Sequence, residues 1–517
     1  MQFEVKSKKE YREGLSEILK NQFSWDSLSI YESLDSTDEF LNDLQDDIYI
    51  GIEYPYVDKL YRNLYYHYYS SKLYNYPRNC IRLSFFSCNL DNNDFFDSEK
   101  HEQIKESFLG FLVLRPTYKN IIGRNILHPN LIKKNSNYRI IFITEDVSIN
   151  GLALCAKGFP HSSQDGEMMA CAETTLWSVI EYFSSKYPEH KQILPSDILK
   201  ILRPLTAERQ LPSDGLLPSQ ISYVLKKIGF EVKNYIIENR DTKNSITENI
   251  SERIKYNNDN DNKDDNYDYF TEIVKDLVIP AYVESGIPVL VTVIDEYYER
   301  HIFNVIGRVD FNLSYKFERP LTQLSNGTFL YNYYELPCNY LSIDDNLTPY
   351  HKIDLNQPTK NRLDDYDAYI DLATVPMHKH IYTDITKISN LIFFWLEEIS
   401  KKIDLPPSLV FRTFLSSAKS YKDYIIKNEL IPLDIKKTII TLNAPKYLWI
   451  IELSTFEDVT NEKASGIIIA DATEPKEQNP LCVFINKKWI IYTDGEMAAK
   501  DVSLQPFKIF TNNLNIF

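Results

Sequence analysis

The pattern of this sequence predicts a multidomain α+β protein, and three observations carry that expectation. The chain has 517 residues, too many for one compact core, so about three domains of ordinary size are expected. Hydrophobic residues make up 43% and aromatics 13%, which is enough apolar material for real cores. Runs rich in β-branched and aromatic residues, bounded by turn residues, occur beside stretches of helical period.

Composition also sets limits. A formal net charge of −16 argues against nucleic-acid binding, because neutralising phosphates needs a surplus of Lys and Arg. It argues equally against anionic membrane surfaces. The opening ten residues contain no apolar run, so no secretory signal is expected. No stretch of about 18 uncharged apolar residues predicts a membrane span. The six cysteines, Cys80, Cys88, Cys155, Cys171, Cys338 and Cys482, are too sparse for a disulfide framework. None is spaced CxxC, which points away from zinc ribbons and thioredoxin-like sites and toward a reducing cytoplasm. Neither GxGxxG nor GxxxxGK[ST] occurs among the 14 glycines, so a phosphate cradle has no support.

Residues 1–150 read as an N-terminal α+β domain. Tyr56 to Tyr74 has helical aromatic spacing, and strands are expected at Ile81–Phe86, Phe108–Leu114 and Arg139–Thr144. Arg115 and Arg124 lie near strand ends and are expected as surface or interface salt-bridging residues, with an anion clamp as the alternative.

Residues 151–355 form the central domain. Ala172, Leu176, Val179, Ile180, Phe183 and Tyr187 trace one face of a helix over 172–187. A second helical piece starts at Pro195. A third starts at Pro218 and Ser219, stops at Gly229, and leads into a strand. Residues 241–268 include a low-complexity Asn/Asp run that cannot bury a core, and are expected as a disordered insertion. A helix over 269–285 then leads through Gly286 to strands at 287–294, His301–Gly307 and Tyr340–Asp345. Residues 356–517 are read as a C-terminal α+β domain with helical passages at 385–402 and 407–428, then strands at 447–453, 466–471 and 489–492.

The stretch Gln164-Asp-Gly-Glu-Met-Met-Ala-Cys171 is the chemical focus. It reads as a loop, eased by Gly166, that puts a cysteine at a helix start. There the positive end of the helix dipole favours thiolate over thiol. Later in the chain His301 opens a strand and Asp344-Asp345 ends another. Each part has a task in acyl transfer. A histidine takes the thiol proton, a carboxylate orients the imidazole, and the Gln164 amide with the Cys171 N–H donates to an oxyanion.

The order Gln164…Cys171, Gly215-x4-Gln-Ile-x3-Leu-x3-Gly229, Gly286-Ile-Pro-Val-Leu-Val, His301-Ile-Phe-Asn-Val-Ile-Gly, then Asp resembles the papain-like cysteine peptidases. It is nearest to their bacterial leader-processing branch and covers about residues 160–350. The resemblance implies a helical lobe packed on an antiparallel β-lobe, with substrate in the cleft between them. It implies Cys171 as nucleophile, His301 as base, Asp345 or Asp344 as orienter, and Gln164 as oxyanion donor. Alternation places Asp345 with Leu341 and Ile343, and Asp344 with Tyr340 and Ser342. Asp345 is put slightly ahead. The chain departs from that branch in having one extra residue between Gln and Cys, Ala172 where Gly is commoner, and an excursion over 308–338.

Asp165, Glu167 and Glu173 crowd Cys171 and oppose thiolate formation unless they turn to solvent. The expected activity is that of a cysteine peptidase or isopeptidase on a protein or peptide, with a possible further protein partner on the flanking domains. Thiol chemistry implies no cofactor and no metal. The alternatives are a silent papain-like scaffold that binds a protein partner, and an effector or toxin awaiting a trigger. Met377-His378-Lys-His380 is expected as an exposed loop, since a metal would need further ligands and none is near in sequence. His351 is expected in a loop. Glu452 and Asp471 are read as strand-end hydrogen-bonding residues, with a carboxylate pair as the lesser reading.

Overall fold

The computed structural model describes residues 2–117, 120–134, 136–237, 272–295, 297, 299–360, 368–476, 479–493 and 496–517. The expected insertion at 241–268 lies outside them. The chain is α+β and multidomain, as its pattern predicts, and it is built on three large sheets.

The first sheet is an antiparallel meander of Gln2–Ser7, Tyr49–Tyr56, Cys80–Phe86, Phe108–Leu114 and Ile122–Leu127, paired in sequence order. Every residue of Cys80–Phe86 and of Ile122–Leu127 is buried, so the polar Arg82, Ser84, Arg124 and Asn125 in them mark no solvent face. The aromatic passage yields a shorter helix than its spacing suggests, Lys59–His67 followed by a single 3-10 turn at Tyr69–Ser71. Asp58 caps that helix by accepting the Tyr61 N–H at 2.8 Å.

The central sheet runs His351–Ile353, Tyr340–Ile343, Arg300–Val309, Val289–Asp295, Ala368–Met377 and Glu231–Ile236, all antiparallel to their neighbours. Tyr138–Ile140 pairs with the far end of Arg300–Val309, and Asn515–Ile516 pairs with Tyr138–Ile140. Strands from all three stretches of the chain therefore meet in one sheet. Ala368–Met377, read from sequence as part of the C-terminal domain, is a neighbour of Val289–Asp295. The reason is that both edges of the buried Val289–Asp295 strand need backbone partners. Gly229 and Gly286 end their helices at φ +104 and +76, the left-handed geometry expected of a C-terminal glycine.

The third sheet joins Thr322–Gln323, Phe329–Asn332, Ser408–Ser417, Tyr447–Ser454, Gly466–Asp471, Cys482–Ile485, Lys488–Thr493 and Glu496–Asp501. Its one parallel pairing is between Phe329–Asn332 and Ser408–Ser417. The excursion after His301 thus supplies edge strands to the C-terminal sheet. The helix expected over 407–428 is half wrong: Ser408–Ser417 is a strand and only Ala418–Lys427 is helical. A continuous apolar run buried on both faces has no period that separates strand from helix.

The central and C-terminal sheets are tied by a buried chain of charge. Arg308 Nε donates to Glu284 Oε1 at 2.5 Å, Arg412 donates to the other Glu284 oxygen, and Arg412 Nη1 donates to Glu452 Oε2 at 2.8 Å. Burial pushes both carboxyls up, but two guanidiniums hold Glu284 down to about 2. Glu452, facing Arg412 alone, stays above the ordinary range because burial wins. No helix among the described residues is long and apolar enough to cross a membrane.

Candidate active site

The cysteine helix spans Cys171–Lys186, and everything from Ala172 to Phe183 in it is buried. Its approach is shaped by Asp165, whose Oδ1 accepts the N–H groups of Glu167, Met168 and Met169 at 3.0, 2.8 and 2.8 Å. Gly166 inside that turn has φ +71, a conformation glycine adopts without penalty. Met168 and Met169 are buried below it. The helix then opens on Ala170, which offers no side-chain cap. Cys171 is left half-buried in the first turn, where backbone N–H groups lack intrahelical acceptors.

The crowding acids are all engaged by the fold. Asp165 is spent on its own loop. Glu167 pairs with Lys72 at 2.7 Å and with the Tyr68 hydroxyl. Glu173 is buried, accepts from the Ser213 hydroxyl, and is pushed up by burial. The Lys72 ammonium offsets Glu167 and burial disfavours charge on Glu173, so these two pull less against a thiolate, while Asp165 is buried and not turned to solvent.

His301 is the second residue of Arg300–Val309, opposite Val293. Its Nε2 lies 3.0 Å from Asp344 Oδ2 and 3.9 Å from Asp345 Oδ1. Asp344 is therefore the hydrogen-bonding carboxylate, which corrects the slight preference for Asp345. With the proton on Nε2 toward Asp344, the imidazole lone pair sits on Nδ1.

The cysteine helix lies against this strand. Thr175 Oγ1 donates to the Ile302 carbonyl at 3.1 Å, and Asn304 Nδ2 donates to the Thr175 carbonyl at 3.0 Å and the Ser178 hydroxyl at 2.7 Å. The later strand residue reaches the later helix residue, so the Cys171 end of the helix and the His301 end of the strand lie at the same end. Cys171 is related to His301 by this packing and by no described hydrogen bond. His301, Asp344 and Asp345 are in direct mutual reach.

Gln164 joins the cluster through Asn346. Its Nε2 donates to Asn346 Oδ1 at 2.8 Å, and the Asn346 N–H donates to Asp344 Oδ1 at 3.0 Å. Three further residues hold this arrangement, and sequence reasoning gave them no such role. His161 is fully buried, and its Nε2 lies 3.0 Å from the Asp344 carbonyl oxygen. Its Nδ1 accepts from Asn125 Nδ2 at 2.8 Å. Burial pushes His161 down to about 4, so the ring is neutral and donates only from Nε2. Arg115 is buried too, and donates to the carbonyls of Ser163 at 3.1 Å, Gln164 at 3.0 Å and Asn120 at 2.6 Å. Arg115 and Asn125 belong to the N-terminal sheet region, which therefore positions the Gln164 loop and Asp344. Only Arg115, beside Pro116 at a strand end, carried a visible signal.

Other candidates fall elsewhere. Arg124 is buried, not superficial, and pairs with Asp58 at 2.8 Å and Glu145 at 2.8 Å. Neither it nor Arg115, bound by carbonyls, is an anion clamp. His351 opens a strand opposite Ser342 instead of lying in a loop. Glu452 faces Ile467 and Asp471 faces Leu448 across one strand pair, so they form no carboxylate pair. Asp471 accepts from the backbone and hydroxyl of Thr473. His380 is exposed as expected, but His378 is buried. Two groups among the described residues bring three donors suited to a metal ion within 4.8 Å of one another: His301 with Asp344 and Asp345, and Glu189 with His190 and His378.

The acyl-transfer parts expected from sequence thus fall into one region at the ends of their elements. Comparison of the chain with protein-family models and with curated proteins gives no match.

Proposed function

We propose that this protein is a cysteine peptidase or isopeptidase of papain-like type. The observation that carries the reading is the His301–Asp344 pair at 3.0 Å on the strand against which the cysteine helix packs. In this reading Asp344 holds the His301 tautomer that offers Nδ1 as the base. His301 takes the Cys171 proton, and the thiolate forms a bond to the carbonyl carbon of a peptide or isopeptide. The oxyanion is met by the Cys171 N–H and by the Gln164 amide, which has a second N–H beyond the one given to Asn346. The C–N bond breaks as the amine takes the proton back from the imidazolium, and water then hydrolyses the thioester. Resolution by an amine instead would give acyl transfer. A reducing cytoplasm suits a thiol nucleophile, and all six cysteines are free.

The test is the pH dependence of iodoacetamide labelling at Cys171, in the native protein and in His301→Ala. A thiolate stabilised by imidazolium labels fast near pH ~6, and the mutant loses that rate, because a free cysteine titrates near ~8.5. Labelling that rises only above pH ~8 and ignores the mutation makes Cys171 an ordinary thiol. The reading of a silent scaffold that binds a protein partner then replaces the peptidase.

A further inference from the structure

Away from Cys171, the turn that follows the cysteine helix meets the end of the Ala368–Met377 strand. Glu189 and His190 come from the turn and His378 from just beyond the strand, and their donor atoms lie within 4.8 Å of one another. The histidines are separated by 188 positions, so no sequence spacing announces the cluster.

The two imidazoles are held in place by their rings. His190 stacks on Phe230 at 4.3 Å and 8°, and His378 stacks on Tyr447 at 5.1 Å and 12°. Both also meet the edge of Phe183 at 5.4 Å. Such stacking fixes ring planes, and with them the directions of the nitrogens. His378 is only 7% exposed. Its Nδ1, and Nε2 of His190, are buried without a hydrogen-bond partner among the described residues. Buried polar atoms are ordinarily satisfied, so two orphaned nitrogens in one cluster require an account. Burial pushes both histidines down, His378 to about 4, because desolvation disfavours the imidazolium. The third donor, Glu189, is exposed and pairs with Lys446 at 3.0 Å.

We propose that Glu189, His190 and His378 form a site for a divalent transition-metal ion of the zinc class, with water in the fourth position. Two neutral imidazoles and one carboxylate are a donor set this ion takes, whereas Mg²⁺ and Ca²⁺ prefer all-oxygen shells. Donors around tetrahedral zinc stand roughly 3.3 Å apart, given Zn–N bonds of about 2.0 Å. The three donors lie within 4.8 Å of one another, and the exposed carboxylate, once released from Lys446, is the one free to move toward the ion. The ion ties the far end of the cysteine helix to the central sheet, beside Tyr447 of the C-terminal sheet. It is separate from His301 and owes nothing to the peptidase reading.

The experiment is a Co²⁺ titration of the full chain, stripped with chelator and followed by visible absorption, with Zn²⁺ as competitor. One Co²⁺ binds with nitrogen/oxygen-type bands and no thiolate charge-transfer band, and Zn²⁺ displaces it. His378→Ala weakens binding by more than the roughly 10–100-fold typical of outer-shell changes. Lys446→Met, which frees Glu189, tightens binding. His301→Ala and Cys171→Ala leave it unchanged. Should His378→Ala not fold, Glu189→Gln at the exposed ligand serves in its place, with about tenfold weakening or more expected. Equal affinity in the native protein and these ligand variants overturns the proposal, as does binding that disappears with His301 or Cys171.

Discussion

Two polar clusters sit in neighbouring parts of this molecule and are built on opposite plans. The Arg308–Glu284–Arg412–Glu452 chain is fully buried, and salt bridges link it from end to end. The His301–Asp344–Asn346–Gln164 chain ends on groups that are partly open to solvent. The first chain starts and ends inside strands and a helix, so its geometry is set by sheet packing. The second occupies a strand start, a strand end and a loop. A buried chain of ion pairs binds elements together, and its charged groups face one another instead of solvent or a ligand. A chain that stops at a half-buried histidine beside a helix start keeps capacity for a proton and a ligand. Charge in the interior is architecture here, and the chain at the ends of elements is the one the proposed chemistry would use.

Arg412→Met breaks the comparison most severely. It leaves Glu452 buried without its guanidinium and Glu284 with Arg308 alone, and should cost about 3–5 kcal/mol in urea unfolding, whereas His301→Ala should leave the unfolding midpoint almost unmoved. A midpoint unchanged by Arg412→Met would mean that the buried chain carries no stability. Next in size is the loss of fast Cys171 labelling in His301→Ala, roughly 10²–10³-fold near pH 6, since a thiol of pKa ~8.5 is then almost wholly protonated.

Acid sharpens the contrast. The Glu284 carboxyl is held at about 2 in the fold, below its unfolded value near ~4.3. Its stabilisation is therefore present above that value and is lost as pH falls through the folded one, amounting to about 3 kcal/mol. Urea unfolding between pH 5 and pH 2 checks this, and Glu284→Gln should flatten the slope. The smallest expected effect separates the two aspartates. Asp344→Asn removes the carboxylate bonded to His301 and should slow labelling about tenfold or more, as expected for the loss of one adjacent opposite charge. Asp345→Asn should have the lesser effect, and the reverse order would restore Asp345 as the orienter.

How much of this was legible in the sequence differs by kind. Periodicity and turn residues placed the cysteine helix, the His301 strand and the Gly229 and Gly286 helix ends close to where they lie. They failed at Ser408–Ser417, where burial on both faces erased the period. Sheet membership was hidden as well. Ala368–Met377 joins the central sheet because an edge there needed a partner, and backbone hydrogen bonding leaves almost no trace in side-chain pattern.

The sequence by itself determined the α+β class, the position of Cys171 at a helix start, and the order Gln164, Cys171, His301 and the aspartates along the chain. Those depend on local periodicity and side-chain chemistry, which any reader of the chain can see. Only the tertiary structure chose Asp344 over Asp345 as the partner of His301. It alone turned His161 and Arg115 into supports for the Asp344 and Gln164 backbone, and set His190 beside His378. Each of those outcomes depends on distances of a few ångströms between segments far apart in the chain, which only packing supplies.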